Sequence, residues 1–402
     1  VLAVIQDHKG FMWFGSSGLS KFNGYNFTNY LNHADAQNSL VNNFVQALFE
    51  DSQKRLWIGT RSGISIYNRA KNNFDNIFPD SLNNQFNVAG FAESKDGTIY
   101  IGTFGYGLIK YNPATRETVK FEYLEKDESS ICSNWVSDII IDKNENIWVA
   151  TFHGLNLLDA STGKFTRFKR APYNSPDWHK DYINSLISDD NGILWIGTTF
   201  GISRFDPRSK EFTDLLTPAV LNKKDNLNIT SLIFVQKNEL WAGSHDGIYV
   251  YNTGTKAYSQ IQHQENDFES LASNEIEALY LDKTGNLWVA TRAKGVDKLK
   301  FLKERFVQYK NTNPGFRNLS NNEIYGMTED INNNIWFATL NGLNKFNPAT
   351  NRVENFMKKN DPGITSDIQW TAHTNKKVMS DIVWVGSDAG AFAFFNFSGK
   401  NR

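Results

Sequence analysis

One short phrase returns nine times along this chain: an aromatic residue, then Ile, Val, Phe or Ala, then Gly or Ala, then Thr or Ser. It begins at Trp13, Trp57, Tyr100, Trp148, Trp195, Trp241, Trp288, Trp336 and Trp384, a period of about 45 residues. A period in this range marks a repeat architecture, so the fold has to be read from the repeat and not from any one segment.

The second and eighth units show what a repeat contains. Asn43 to Asp51 is rich in apolar residues, and a polar turn leads to Leu56-Trp57-Ile58-Gly59-Thr60. A turn ending at Gly63 leads to Ile64-Ser65-Ile66-Tyr67-Asn68, and a further polar turn to Phe74. The eighth unit repeats this through Glu323 to Met327, Ile335 to Thr339, Gly342 to Asn347 and Val353 to Phe356. Four short β-rich runs separated by Gly, Asn, Asp and Pro turns predict a four-stranded blade, and no segment has a helical period. Asp stands six residues before the aromatic in six units (Asp7, Asp51, Asp142, Asp189, Asp282 and Asp330). Gly follows the aromatic by five to seven residues in all nine, from Gly18 and Gly63 to Gly342 and Gly390. A residue needed nine times is scaffold, not catalyst; these positions serve turns, and the Gly or Ala after Trp lets neighbouring sheets approach.

Four strands at this period make an all-β β-propeller. A β-solenoid is the alternative, but its coils are about half this length or shorter. The WD40 variety is disfavoured, because no Trp is followed by Asp and no Gly-His pair occurs. We expect residues 1–310 to form a seven-bladed propeller and 311–402 the first two blades of a second, with a single eight- or nine-bladed ring as the alternative. The seam is the seventh unit. Its third strand, Gly295 to Lys300, lacks the aromatic-Asn/Asp ending of Tyr67-Asn68 or Phe205-Asp206. It runs into a charged stretch and the polar link Asn311-Thr312-Asn313-Pro314-Gly315.

Bulk properties remove several function classes. A net charge of −1 suggests neither nucleic acid nor an anionic membrane surface as partner of this region. No apolar run approaches membrane-spanning length. The single cysteine, Cys132, excludes an internal disulfide. The chain opens at Val1 inside the first strand of a repeat, which reads as a piece of a longer protein.

The pattern Ser273-Asn274-Glu275-Ile276, Asp282-Lys283-Thr284-Gly285-Asn286-Leu287-Trp288-Val289-Ala290-Thr291 and Gly342-Leu343-Asn344-Lys345-Phe346-Asn347-Pro348 resembles the two-component regulator propeller repeat. The likeness covers essentially the whole chain. Tyr100 in place of Trp, and Val235 and Val378 in place of Asp, depart from it. The resemblance implies the periplasmic sensor region of a hybrid two-component system of the Bacteroides type. Kinase activity would reside only in downstream domains, beyond a downstream membrane segment. It further implies an oligosaccharide ligand derived from a glycan, a homodimer formed through the full-length receptor, and no cofactor or metal.

In a four-stranded meander the turns alternate between two faces. The Asp-x-x-Gly and Asn-Pro turns share one and are nearly uniform. The loops after Trp-x-Gly-Thr share the other with the blade-to-blade connections, and they vary. Variation on a rigid frame is where specificity resides. The candidate ligand-binding residues are therefore Arg61, Tyr106, Trp135, His153, Trp178, His179, Phe200, His245, Arg292 and Lys294. Aromatic faces ringed by Arg, His and Asn suit sugars, and Arg or Lys an acidic one. An ordinary mixed polar surface is the bland alternative for any one of them. Enzymatic readings are weaker. The seven His are scattered without metal spacing. His153 and His245 hold similar loop positions two blades apart, the one hint of a propeller lyase. Glycoside hydrolysis needs a carboxyl pair that nothing in the sequence brings together. Gly102 to Gly107 is a strand-to-strand turn and not a phosphate-cradling loop. A protein-interaction scaffold remains the third reading.

Overall fold

A computed structural model describes residues 1–77, 86–170, 178–223, 227–267, 269–301, 311, 318–361, 364, 366–375 and 379–395 of the chain. Each repeat is an antiparallel sheet whose strands lie in chain order, four strands in most sheets and three described strands in the seventh and ninth. Two compact units contain them, Val1–Leu302 and Lys303–Arg402. The expected boundary at residue 310 falls outside the described residues.

In the first unit the leading strands of the seven sheets are Ala3–Gln6, Val45–Glu50, Asn87–Glu93, Val136–Ile141, Ile183–Ser188, Ile229–Gln236 and Ile276–Leu281. Each packs beside the leading strand of the next sheet, and Ile276–Leu281 packs back against Ala3–Gln6. The Val1 amino group donates to Thr291 O at 2.8 Å, Lys283 N donates to Gln6 Oε1 at 2.8 Å, and the Phe14 and Trp288 rings meet at 5.5 Å. The sheets thus stand around an axis as propeller blades.

Burial follows from that stacking. The second strands, such as Leu56–Thr60, Ile147–Thr151 and Leu194–Thr198, are buried along their whole length because both faces meet a neighbouring sheet. The outermost strands Phe27–Tyr30 and Tyr258–Ile261 are mostly exposed. The small residue after Trp sits at the closest approach: a Cβ on Gly197 would lie 2.6 Å from Ile229 Cγ2, and one on Gly59 2.5 Å from Val88 Cγ1. Gly is therefore required there by packing.

The recurrent Asp is a structural hub. Asp7 Oδ1 accepts the backbone N–H of Lys9 and Phe11, closing the turn, while Oδ2 accepts the indole N–H of Trp13 at 2.9 Å. The same indole bond recurs from Trp57 to Asp51, Trp148 to Asp142, Trp195 to Asp189, Trp288 to Asp282 and Trp336 to Asp330. A buried indole N–H needs an acceptor, and one carboxylate serves both turn and core. Where the Asp is missing in the sixth unit, Trp241 donates to Glu239 instead.

A second device joins the sheets. The leading strand carries a bulge at the same place in successive sheets, at Ser137, Asn184, Thr230 and Glu277 among others. A bulge re-aims one side chain. Ser137, Asn184 and Thr230 use it to donate to the carbonyls of Ile183, Ile229 and Ile276, each one sheet onward. The following residue works in the opposite sense: Asp138, Ser185 and Ser231 accept the backbone N–H of Leu186, Leu232 and Leu279.

In the second unit the sheet beginning with Ile324–Glu329 packs its leading strand beside Gln369–Asn375 of the last sheet. Trp336 and Asp330 repeat the indole bond, and the Tyr325 and Trp370 rings lie 4.8 Å apart.

Candidate functional site

From the second sheet to the eighth, the blades mount their variable loops in a similar way. The Thr or Ser that closes the aromatic phrase donates to the carbonyl of the turn glycine, Thr60 to Gly63, Thr151 to Gly154, Thr198 to Gly201 and Ser244 to Gly247. The same hydroxyl accepts a loop N–H, from Ser62, Tyr106, His153, Phe200, Asp246 and Lys294 in successive sheets. Loop N–H groups of Arg61, Phe152, Thr199, His245 and Arg292 donate to Phe44, Trp135, Tyr182, Asn228 and Glu275, the residues that lead into the first strand. The same hydroxyl anchors each of these loops while the side chains change, with the third and seventh loops one residue longer than the others.

These mounts correct one detail. His153 and His245 are not equivalent: His153 is clipped to Thr151, whereas the residue clipped in the sixth sheet is Asp246, and His245 corresponds to Phe152.

Five of the ten candidate residues come together. A row of rings crosses the third, fourth and fifth sheets. Phe104 meets Trp135 at 6.1 Å, Trp135 meets Phe152 at 5.7 Å with planes 17° apart, and Phe152 stacks on Tyr182 at 3.9 Å. Tyr182 meets Trp178 edge-on at 5.9 Å, Trp178 meets His179 at 6.2 Å, and His179 meets Phe200 at 4.9 Å. Trp135 and Trp178 remain 48% and 46% exposed, so half of each indole is presented to solvent. The Lys180 ammonium lies 5.1 Å from the Phe200 ring, within cation–π range.

The connection bearing Trp178 and His179 is pinned at its base. Arg170 N donates to both oxygens of Asp181, and Nη1 donates to Asp214 at 2.7 Å and Ser203 at 2.9 Å. Trp178–Lys180 forms a single 3-10 turn, fixed by Thr199 Oγ1 donating to His179 O.

Beside the row lies a cleft of about 400 Å³ lined by Tyr123, Cys132, Ser133, Asn134, Trp135, His153 and Lys169. Its volume suits a small ligand. Burial, and then the neighbouring Lys169 charge, push the His153 imidazole below its ordinary pKa, with Asp181 opposing. It is therefore neutral at pH 7 and able both to donate and to accept. Burial raises the Cys132 thiol, which keeps it protonated against Thr151 Oγ1 at 3.2 Å.

The other candidates stand apart from the row. Arg61 caps the Phe44 ring at 4.0 Å in the second sheet. Tyr106 shares the Phe104 loop, with the Lys120 ammonium 5.1 Å from its ring. His245 bonds Asn228, Arg292 donates to Glu277 at 2.7 Å, and Lys294 follows in the seventh sheet. Sequence reasoning missed Tyr182, Tyr123 and Lys169. Tyr182 had a signal: it precedes the leading strand as Trp135 does. Among the described residues no group of three His, Cys, Asp or Glu could hold a metal ion.

Blades of this kind, carrying a uniform frame and a varied loop face, define a propeller repeat protein. Residues 39–62, 130–153, 179–200, 270–293 and 318–341 match the family described as the two component regulator propeller. The fold is shared with the domain described as the extracellular domain of the hybrid two component system BT4673 from B. thetaiotaomicron. That likeness has 23% identity, covers 98% of this chain and 50% of that one, and has a TM-score of 0.65. The corresponding domain of BT3049 from the same organism has 20% identity, 98% and 51% coverage and a TM-score of 0.64. Histidine kinase P4 of Formosa agariphila is 29% identical over 160 residues, 37% of this chain and 11% of that protein. The chain thus spans about half the length of the first two and a small part of the third. Among the described residues no helix is long and apolar enough to cross a membrane.

Proposed function

We propose that this chain is the ligand-sensing region of a hybrid two-component sensor kinase, lying outside the cytoplasmic membrane and recognising an oligosaccharide on its variable loop face. One observation carries the reading: similar backbone mounts hold different side chains from the second sheet to the eighth, and on three adjacent blades those side chains build one exposed aromatic row. Planar rings flanked by Asn, Ser, His and Lys match the apolar faces and hydroxyls of sugars, by stacking and hydrogen bonding. The sequence relation to a histidine kinase and the shared fold support the receptor context. A binding role is favoured over catalysis because the row and its cleft offer recognition groups, and among the described residues no carboxylate lines the cleft.

In this reading the first unit is a complete seven-bladed ring and the second contributes two blades to another. Met327 is 67% exposed where its counterpart Leu279, covered by the preceding sheet, is 7% exposed. A further blade beside Ile324–Glu329 would bury it. Signalling then requires ligand to favour one packing of the receptor dimer over another, since equal affinity for both shifts nothing. The test is a thermal-shift screen of the 402-residue chain against neutral and acidic oligosaccharides, alongside the sequence of the complete reading frame. A stabilising sugar and a downstream kinase are expected. A frame without a kinase, or a panel without a single stabilising sugar, overturns the proposal.

A further inference from the structure

We infer that the cleft between Trp135, His153 and Lys169 is a subsite for an acidic sugar, one pyranose ring lying on the Trp135 indole and its anionic group meeting the Lys169 ammonium. The inference rests on the sensor reading above and adds the chemical class of the ligand.

Three observations carry it. Trp135 is braced from behind by near-parallel contact with Phe152, itself stacked on Tyr182, so the exposed half of the indole is a rigid platform. A pre-ordered ring loses little entropy on binding. The cleft floor offers hydroxyl and amide chemistry at Ser133 and Asn134, and Asn134 is fixed by accepting Tyr123 N at 2.7 Å and, through its carbonyl, Gly105 N and Gly107 N. Among the described residues the charge of the lining is one-sided: Lys169 is its one permanently charged residue, and no ion pair holds that ammonium. The adjoining shallow surface repeats the sign. Arg167 there donates to the carbonyls of Asp127 and Ser130 and to Ser130 Oγ, with its guanidinium 5.5 Å from the Tyr123 ring, although Glu128 also lines that surface. A cation facing a cleft with no carboxylate among its described lining residues favours an anionic ligand. Uronate carboxylate and sulfate ester share this chemistry.

Isothermal titration of the 402-residue chain separates the outcomes. The probes are trigalacturonate, a sulfated chondroitin disaccharide and neutral cellotriose. An acidic probe is expected to bind, about tenfold more weakly in Trp135→Ala and about tenfold or more weakly in Lys169→Met. Affinity should also fall as salt rises. Whichever acidic probe binds identifies carboxylate or sulfate as the group read. Cellotriose binding as tightly, with Trp135→Ala weakening it and Lys169→Met silent, overturns the acidic class while leaving a sugar sensor at this face. Binding that ignores both substitutions overturns the subsite and places the ligand elsewhere. No binding by any probe, with unchanged thermal melts of both variants, overturns the subsite too, and the wider thermal-shift panel then decides the sensor reading separately.

Discussion

Asp138 is the one charged residue at a position where the neighbouring sheets use an uncharged side chain. Ser185 and Ser231 accept the N–H of the next sheet with a hydroxyl, and Asp138 does it with a carboxylate. Burial raises its pKa from 3.8 to about 7, against the bonds from Leu186 N and Ile139 N, which lower it. The sign follows from linkage. The folded form holds its proton more tightly than the unfolded form, so stability is fully present below pH 3.8 and declines as pH rises, until the folded carboxyl ionises near 7. At about 1.4 kcal/mol per pKa unit, the ceiling on that loss is about 4 kcal/mol. The residue keeps partial solvent access, so the loss lies below the ceiling. Replacing Asp138 with Ser copies the adjacent sheets and removes the titrating group. Allowing about 1 kcal/mol for lost packing, Asp138→Ser should be about 2–3 kcal/mol more stable than the parent at pH 8. At pH 3.5 the advantage should vanish or reverse. Urea midpoints from pH 3.5 to 8, followed by tryptophan fluorescence, give the difference curve. A difference that does not change with pH would show that Asp138 ionises freely in the folded ring and would refute the argument.

Gly197→Ala should lose about 1–3 kcal/mol, because its Cβ would press on Ile229 Cγ2 at 2.6 Å; an unchanged urea midpoint would mean the sheets can separate at no cost. Asp282→Ala should lose about 2–3 kcal/mol at pH 7 by stranding the Trp288 indole N–H and the turn donors Thr284 N and Asn286 N. Although burial opposes it, the hydrogen bonds from Thr284, Asn286 and Trp288 hold the Asp282 pKa well below 3.8. That contribution is present above pH 3.8 and lost as pH falls, so parent and variant should converge in acid denaturation curves. Thr198→Val should cost about 1 kcal/mol and loosen Phe200, seen as faster amide exchange at Phe200 with little change in the neighbouring sheets.

Much of the frame was legible because its causes are local and repeated. The Asp six residues before Trp reads as a turn former in sequence, and the structure adds that its second oxygen serves the indole. The need for Gly or Ala after Trp followed from four strands in a stacked sheet, and the close contacts at Gly59 and Gly197 bear it out. The clasps were not legible. They depend on a bulge, and a one-residue irregularity leaves no mark on an apolar pattern; Ser137, Asn184 and Thr230 share no residue type. Within the site, the loop residues were visible as departures from the repeat. Lys169 was not, since its place beside Trp135 depends on how adjacent sheets align, and Tyr182 was marked only by its place before a leading strand.

That alignment explains why the row forms on these blades and not on others. The mount brings a loop residue and a lead-in residue together in the second sheet and in the fourth to eighth, so the character of the face there depends on two residues per blade. In the second sheet the pair is Arg61 and Phe44, in the sixth His245 and Asn228, and in the seventh Arg292 and Glu275. The fourth sheet pairs Phe152 with Trp135, two aromatics, and the fifth supplies Tyr182 at the next position around the ring. Phe104 and Phe152, at equivalent loop positions in the third and fourth sheets, lie 5.5 Å apart, so aromatics placed alike in neighbouring sheets fall into contact. A ligand lying along the row would touch the third, fourth and fifth sheets together. Its binding energy would therefore act across sheet boundaries, including that between the fourth and fifth sheets, where Ser137 and Asp138 join one blade to the next. A receptor that must convert occupancy into a change of packing needs its ligand to bridge elements that can shift relative to one another. In the sensor proposed above, the row would let one ligand bridge two sheet boundaries.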